Sequence, residues 1–398
     1  MTKENIENLP VLNVGMVGHI DHGKTTLLHA LSGKFADIHS EELKRGITIK
    51  LGYADIVLKK KGNEYGIKDG DDFRYITFVD VPGHEMLMAT MLSGAAIIDA
   101  AILLVAANEG IKPQTREHLV ALEAKNVKKI IIVQNKIDLV SKEEAVKNYN
   151  DIKDFVKGTV AENAPIIPVS AQQGVNIDLL YNILADVEIP ERDINSDPVF
   201  VIARSFDINR PGTKVDKLHG GVLGGALKSG KLEVGDEIEI KPGLIKTEKN
   251  QKIYQTVYAK ITSIFRGSQS LKEATPGGSL SLETSLDMSL TKADNLSGCV
   301  AGLKGKLPEM SNKITIEQNL FKEILGTEGH QKVEDLKMSD MLMISANTSI
   351  SVGKVVKLAK KNVDLELNVP IVAFKGDNIG LAKNIDGHWR LIGFGIIV

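Results

Sequence analysis

The chain has 398 residues, 43% hydrophobic and 25% charged, with a formal net charge of −2 at pH 7. This is ordinary for a soluble globular protein of roughly two to three domains, and it excludes an overall basic field, so any nucleic acid must be met by local patches. The single cysteine, Cys299, excludes an intramolecular disulfide and an all-cysteine metal site. The N-terminal Lys3, Glu4 and Glu7 exclude a secretory signal, and no window reaches the apolar length of a membrane span. The expectation is a cytoplasmic protein with no membrane partner.

The first element is the apolar run 11–17, followed by Gly18-His19-Ile20-Asp21-His22-Gly23-Lys24-Thr25 and a helix-like stretch to residue 31. This fits the phosphate-binding loop G-x-x-x-x-G-K-[ST] in its proper setting. Strand, tight turn and helix start aim a row of backbone N–H groups, and the positive end of the helix dipole, at one spot. Lys24 is expected to reach the terminal phosphates and the Thr25 hydroxyl to take one position on magnesium. Asp21, His22, Gly23 and Thr26 complete the loop residues expected at the nucleotide. His19 and His22 are tempting as zinc ligands, but their backbone is committed to phosphate, so they read as packing and hydrogen-bonding residues.

Next comes Glu41-Glu42-Leu43-Lys44-Arg45-Gly46-Ile47-Thr48-Ile49. Its charge suits a solvated loop. Beside a phosphate loop, however, Thr48 becomes the candidate second hydroxyl ligand of magnesium, ordered only while a γ-phosphate is present. At the end of the apolar run 76–81 stands Asp80-Val81-Pro82-Gly83-His84. Asp80 can hold the magnesium shell through a water, and the Gly83 N–H can approach a γ-phosphate without a side chain in the way.

Further apolar runs at 101–107, 129–134 and 166–170 alternate with helix-like stretches, one of them opened by Pro113 and carrying Leu119 and Leu122. Short Val/Ile-rich runs separated by crossover-length segments predict a mostly parallel sheet with helices on both faces. In such a sheet ligands bind beyond the carboxyl ends of the strands, where these motifs lie. The fourth of these runs ends in Asn135-Lys136-Ile137-Asp138. Asp138 can accept two hydrogen bonds from guanine N1–H and its amino group, a pairing adenine cannot offer. Asn135 would brace the loop, the Lys136 stem could lie along the base, and the backbone of Ser170-Ala171-Gln172 could meet the guanine oxygen.

After residue 186 the composition changes. Residues 188–198 carry Pro190, Pro198 and several charges, and read as a linker. Beyond it lie short strand-like runs with frequent glycine. The set 199–205, 221–227, 237–240, 257–265 and 279–282 predicts one β-barrel, and 313–319, 342–345, 354–359, 363–369 and 391–397 a second. Their boundary is expected near Lys306-Leu307-Pro308. The expected plan is a GTP-binding domain over 1–190, a barrel over 191–306 and a barrel over 307–398.

Taken together, Gly18 to Thr25, Arg45-Gly46-Ile47-Thr48 and Asp80-Val81-Pro82-Gly83-His84 resemble the translational GTPases, the class of elongation factor Tu. The resemblance implies that His84 positions the attacking water and that Ile20 and Ile47 form the apolar gate before it. It also implies that Asp21 supports the metal or a second ion. Other strings resemble the gamma subunit of archaeal and eukaryotic initiation factor 2. These include Lys50-Leu51-Gly52-Tyr53-Ala54, Ala89 to Ala95, Arg204-Ser205-Phe206-Asp207-Ile208-Asn209, Gly220 to Gly225, Ser289 to Leu296 and His388-Trp389-Arg390.

That resemblance implies a GTP/GDP-binding carrier of initiator methionyl-tRNA to the small ribosomal subunit, in a heterotrimer with alpha and beta subunits. It implies slow intrinsic hydrolysis and release of the tRNA after start-codon selection. An elongator-type, selenocysteine-specific factor is the alternative, and it would usually carry a C-terminal extension beyond the equivalent of Val398. A GTP-binding assembly scaffold with little hydrolysis and a GTPase coupled to a metabolic enzyme are further readings. The chain departs from the family at 59–72, where many members carry two cysteine pairs and this one carries none. No zinc is therefore expected. Gly62-Asn63 and Asp69-Gly70 predict instead a short charged hairpin, with few groups to bury apart from Tyr65 and Ile67 and so a mobile tip.

Overall fold

The computed structural model describes residues 6, 9–33, 52–81, 97–209, 212–248, 251–324 and 331–398. Two compact units hold them: Met1–Pro190 with Leu320–Glu334 and Ala382–Gly393, and Glu191–Asn319 with Asp335–Leu381 and Phe394–Val398.

The first unit is built on strands β1 (Val11–Gly18), β2 (Gly52–Lys61), β3 (Glu64–Gly66), β4 (Asp71–Asp80), β5 (Ala100–Ala106), β6 (Lys129–Asn135) and β7 (Ile166–Pro168). They lie in the order β3-β2-β4-β1-β5-β6-β7. β1, β4, β5, β6 and β7 run parallel, as the apolar runs predict. β2 and β3 form an antiparallel edge, with Tyr53 opposite Val79 and Lys60 opposite both Tyr65 and Asp71. The reason is visible in burial. β1 and β5 are covered at every position, which demands a helix on each face, whereas β2 alternates buried and half-buried residues at an edge.

Helices α1 (Lys24–Ser32), α2 (Pro113–Ala124), α3 (Lys142–Phe155) and α4 (Ile177–Asp186) supply those covers. α3 begins with a reciprocal cap, in which Ser141 Oγ accepts from the Glu144 N–H at 3.2 Å and Glu144 Oε2 from the Ser141 N–H at 2.8 Å. The last carbonyls of α4 are satisfied from the sheet, because buried Arg74 of β4 donates to Leu184 O at 2.6 Å and Val187 O at 2.7 Å. The cysteine-free segment 59–72 is the expected hairpin. Tyr65, Ile67 and Phe73 pack against the core of the sheet, the Tyr65 and Phe73 rings lie 5.0 Å apart, and the Tyr65 N–H donates to Asn182 Oδ1 at 3.3 Å.

A first barrel is built from β8 (Val199–Phe206), β9 (Val222–Ser229), β11 (Glu237–Glu248), β12 (Gln251–Arg266), β15 (Leu280–Thr284) and β16 (Val300–Leu303). Their order, β11-β16-β8-β9-β15-β12, is closed by pairing of β11 with β12; β13 (Gln269–Leu271) pairs with β12 beside the ring, and β10 (Leu232–Glu233) forms a separate antiparallel pair with β14 (Glu273–Ala274). Its interior is apolar, with Phe200, Ile202, Leu223, Ile238, Ile240 and Leu282 at its centre. The second barrel closes in the order β17-β20-β19-β18-β21-β22 from β17 (Met310–Leu320), β18 (Met341–Ala346), β19 (Ser349–Ala359), β20 (Asn362–Val372), β21 (Asn378–Ile385) and β22 (His388–Ile397). The segment between β16 and β17 is pinned, because the Leu307 N–H donates to buried Glu239 Oε1 at 2.8 Å and Lys241 Nζ to Leu307 O and Pro308 O at 3.3 Å.

Candidate nucleotide site

β1 occupies the centre of the sheet with parallel neighbours on both sides, so its carboxyl end is where the chain connections diverge and a ligand crevice opens. The loop leaving it turns through Gly18 and Gly23 at φ +140° and +92°. Both must be glycine. A Cβ at Gly18 would stand 2.6 Å from Leu104 O, and one at Gly23 2.4 Å from Asn135 Nδ2. α1 then starts at Lys24 with no side-chain cap, so the N–H groups of Lys24, Thr25 and Thr26 have no carbonyl one helical turn back. A phosphate chain supplies the acceptors that such N–H groups need.

The Lys24 ammonium lies at the mouth of this turn, donating to Gly18 O at 2.9 Å and His19 O at 2.7 Å. Burial pushes it down to about 8 against the opposing pull of Asp80 and Asp21. The Thr25 hydroxyl donates to Asp80 Oδ2 at 2.9 Å. A hydroxyl and a carboxylate side by side are the hard oxygens that magnesium takes. Among the described residues no three His, Cys, Asp or Glu side chains gather. Asp21 stands exposed at φ +58° in the loop, and Thr26 is exposed on the first turn of α1.

Asn135, at the end of β6, is buried and bridges two loops: its Nδ2 donates to His22 O at 2.9 Å, and its Oδ1 accepts from the Ala171 N–H at 3.1 Å. These two hydrogen bonds bring Ala171 to the same edge as Asn135 and His22. Ser170 is buried beside it, its Oγ accepting from the Gln173 N–H, while Gln172 is exposed. Asp138 is exposed and Lys136 half-buried, on the turn that follows β6. His22 is fully buried, its Nδ1 3.3 Å from Leu104 O and from the Ala106 N–H, and burial pushes it down to about 4. His19 crosses it edge-on at 5.1 Å. His22 thus packs and hydrogen-bonds between the phosphate loop and β5, with His19 against its ring. Gly83, His84, Ile47 and Thr48 lie outside the described residues, so the water-positioning and gating expectations are carried within them only by Ile20.

The Ile20 N–H donates to Gln114 Oε1 at 3.3 Å, and the Gly18 N–H to His118 Nδ1 at 2.8 Å. Neither partner belongs to a sequence motif; the sequence marks α2 by Pro113, Thr115-Arg116-Glu117, Leu119 and Leu122. Both lie on the face of α2 that packs on β1, one helical turn apart and at most 9% exposed. Burial, with Lys24 and His19 nearby, holds His118 down to about 3. It is therefore neutral, with Nδ1 free to accept and the proton on Nε2. On the same helix Glu117, 1% exposed, accepts from Arg390 Nη1 at 2.5 Å within this unit. A buried helix face carrying Gln, Glu and His in place of apolar residues was the available signal.

Residues 9–190 match the family described as Elongation factor Tu GTP binding domain, and residues 312–397 that described as Initiation factor eIF2 gamma, C terminal. Translation initiation factor 2 subunit gamma of Methanococcus maripaludis is 50% identical over 98% of this chain and 99% of its own length. The protein of the same name from Archaeoglobus fulgidus is 48% identical over 98% and 95%. A solved bacterial selenocysteine-specific elongation factor EF-Sec superposes with a TM-score of 0.78 at 25% identity, over 98% of this chain and 58% of that one. Elongation factor SelB from Methanococcus maripaludis, in complex with the GTP analogue GppNHp, gives 0.74 at 25% over 98% and 79%. With a phosphate loop, a base loop and two barrels in this order, and near-half identity along the whole chain, the protein belongs to the translation initiation factor 2 gamma-subunit family of translational GTPases.

Proposed function

We propose that the chain is the GTP-dependent carrier of initiator methionyl-tRNA to the small ribosomal subunit, working with alpha and beta subunits and releasing the tRNA on hydrolysis after start-codon selection. The observation that carries this reading is the extent of the identity. It runs at 50% and 48% over 98% of the chain, through the barrels as well as the GTP-binding domain. The 25% identity to the selenocysteine-specific factors supports a common fold and favours initiation over elongation. In the same reading the chain divides into 1–190, 191–306 and 307–398.

The residue roles follow from the site. Guanine is held at Asp138, with Lys136 along the base and the backbone at Ser170, Ala171 and Gln172 on its oxygen. Phosphates lie on the N–H groups from Asp21 to Thr26 and on Lys24, whose ammonium already points into the turn. Magnesium, supplying charge neutralisation on the β- and γ-phosphates, would be held by Thr25 and Thr48, with Asp80 behind it. Gly83 contacts the γ-phosphate and His84 orients water, with Ile20 and Ile47 as the gate. Protection of the methionyl ester against hydrolysis tests the function directly. GTP, but not GDP, should protect charged initiator tRNA and leave charged elongator tRNAs unprotected. Protection of selenocysteinyl-tRNA would favour the elongation reading, and no protection of any tRNA would leave a scaffold.

A further inference from the structure

Glu109 belongs to none of the motifs above. It lies in the turn just after β5, where the N–H groups of Glu109 and Gly110 return to Ala106 O at 3.2 and 2.8 Å. This places its carboxylate at the ligand edge of the sheet, between three elements. Oε1 accepts from Lys136 Nζ of the base loop at 3.3 Å. Oε2 lies 3.9 Å from Lys112 Nζ, at the start of α2, and 4.0 Å from His22 Nε2 of the phosphate loop. That His22 nitrogen is buried and makes no hydrogen bond among the described residues, Glu109 included. Burial tends to raise the carboxyl group, but Lys136, His22 and Lys112 hold it below the usual range, so it is charged whenever nucleotide binds.

Lys136 is a flexible side chain on a backbone held at φ +61°, and a tether on its ammonium reduces the freedom of its stem. We infer that Glu109 is a positioning residue for nucleotide binding: its carboxylate tethers the Lys136 ammonium and so fixes the base loop against the turn after β5, beside buried His22 of the phosphate loop. The inference rests on the assignment of Lys136 to the base. Asn135 joins the base loop to the phosphate loop through a neutral hydrogen bond to His22 O, and Glu109 adds a charged link from the base loop to the turn after β5.

A double-mutant cycle on nucleotide release tests it, read by stopped flow with fluorescent GDP on the full chain. For a pair that is about 25% and 30% exposed, Glu109→Ala should speed release about two- to fivefold. Glu109→Gln, which keeps an acceptor but no charge, should fall between Ala and wild type. A non-hydrolysable GTP analogue should be released faster by the same factor as GDP, because the base is common to both. In a Lys136→Met background the Glu109→Ala effect should vanish, and the melting temperature should not follow the release rates. Additive effects in the cycle, or wild-type release by Glu109→Ala, would overturn the tether. Wild type that holds ADP as tightly as GDP would remove the base-site assignment itself, and the tether with it; GDP preference with an additive cycle would remove the tether alone.

Discussion

Replacing His118 by leucine tests whether α2 sets the phosphate loop. The perturbation removes one acceptor and keeps a side chain of similar bulk. The orphan left behind is the Gly18 N–H, now bonded to His118 Nδ1 at 2.8 Å in a site where His118 is 3% exposed. Gly18 cannot readily swing to find water, because Leu104 O lies 2.6 Å from where a Cβ would stand. A buried unsatisfied N–H costs about 1–3 kcal/mol, which corresponds to about a five- to 150-fold change in an equilibrium. The neighbouring peptide is oriented by two further contacts, Ile20 N–H to Gln114 and His19 O to Lys24. The cost should therefore be felt where these groups face the phosphates, as faster release of GDP. His118→Asn keeps an acceptor close to the ring Nδ1 and should restore most of the affinity. Stopped-flow release and thermal melts of wild type, Leu and Asn variants settle the matter. A Leu variant with wild-type release and only a lowered melting temperature would assign the contact to folding and refute the reasoning.

Acid should weaken the fold through the same neighbourhood. His22 and His118 are held neutral at about 4 and about 3 against 6.5, so below 6.5 the unfolded chain binds protons that the folded chain refuses. Their contribution is whole above 6.5 and is lost as pH falls toward 4, and melts across that window should show a slope that His118→Asn flattens. Asp138→Asn should exchange guanine for xanthine preference, with loss of about 1.5–3 kcal/mol in GTP binding from one charge-assisted hydrogen bond; equal binding of ATP and GTP by wild type would cancel the premise. His84→Ala should leave GTP affinity nearly intact and lower ribosome-stimulated hydrolysis at least about tenfold, and wild-type turnover would return His84 to an ordinary loop residue. Purified protein should carry no stoichiometric zinc by elemental analysis and should bind GTP after zinc chelation with magnesium restored, because Tyr65, Ile67 and Phe73 already anchor the 59–72 hairpin.

What was legible in the sequence and what was not divide along one physical line. Gly18 to Thr25 are contiguous, and each does its work within one turn, so residue type and spacing carry the chemistry. The same holds for Asn135 to Asp138, and for the buried parallel strands, whose unbroken apolar runs reflect cover on both faces. The antiparallel edge β2 was missed among the buried strands because half its positions face outward and its signal is alternation. β16 is four residues, Val-Ala-Gly-Leu, and differs little from a loop, while the eight-residue β21 is interrupted by Gly380, Lys383 and Asn384. The support of the site was hidden for another reason. His118 meets Gly18 across 100 positions, and Arg74 meets Leu184 across 110. Those pairings exist only after the sheet order has set α2 beside β1 and α4 beneath β4. Even so, such residues leave a trace. A histidine and a glutamine on a helix face that must be buried, or an arginine in the buried run of a strand, needs a partner, and in this fold the partner is the backbone that shapes the site or ends its covering helix.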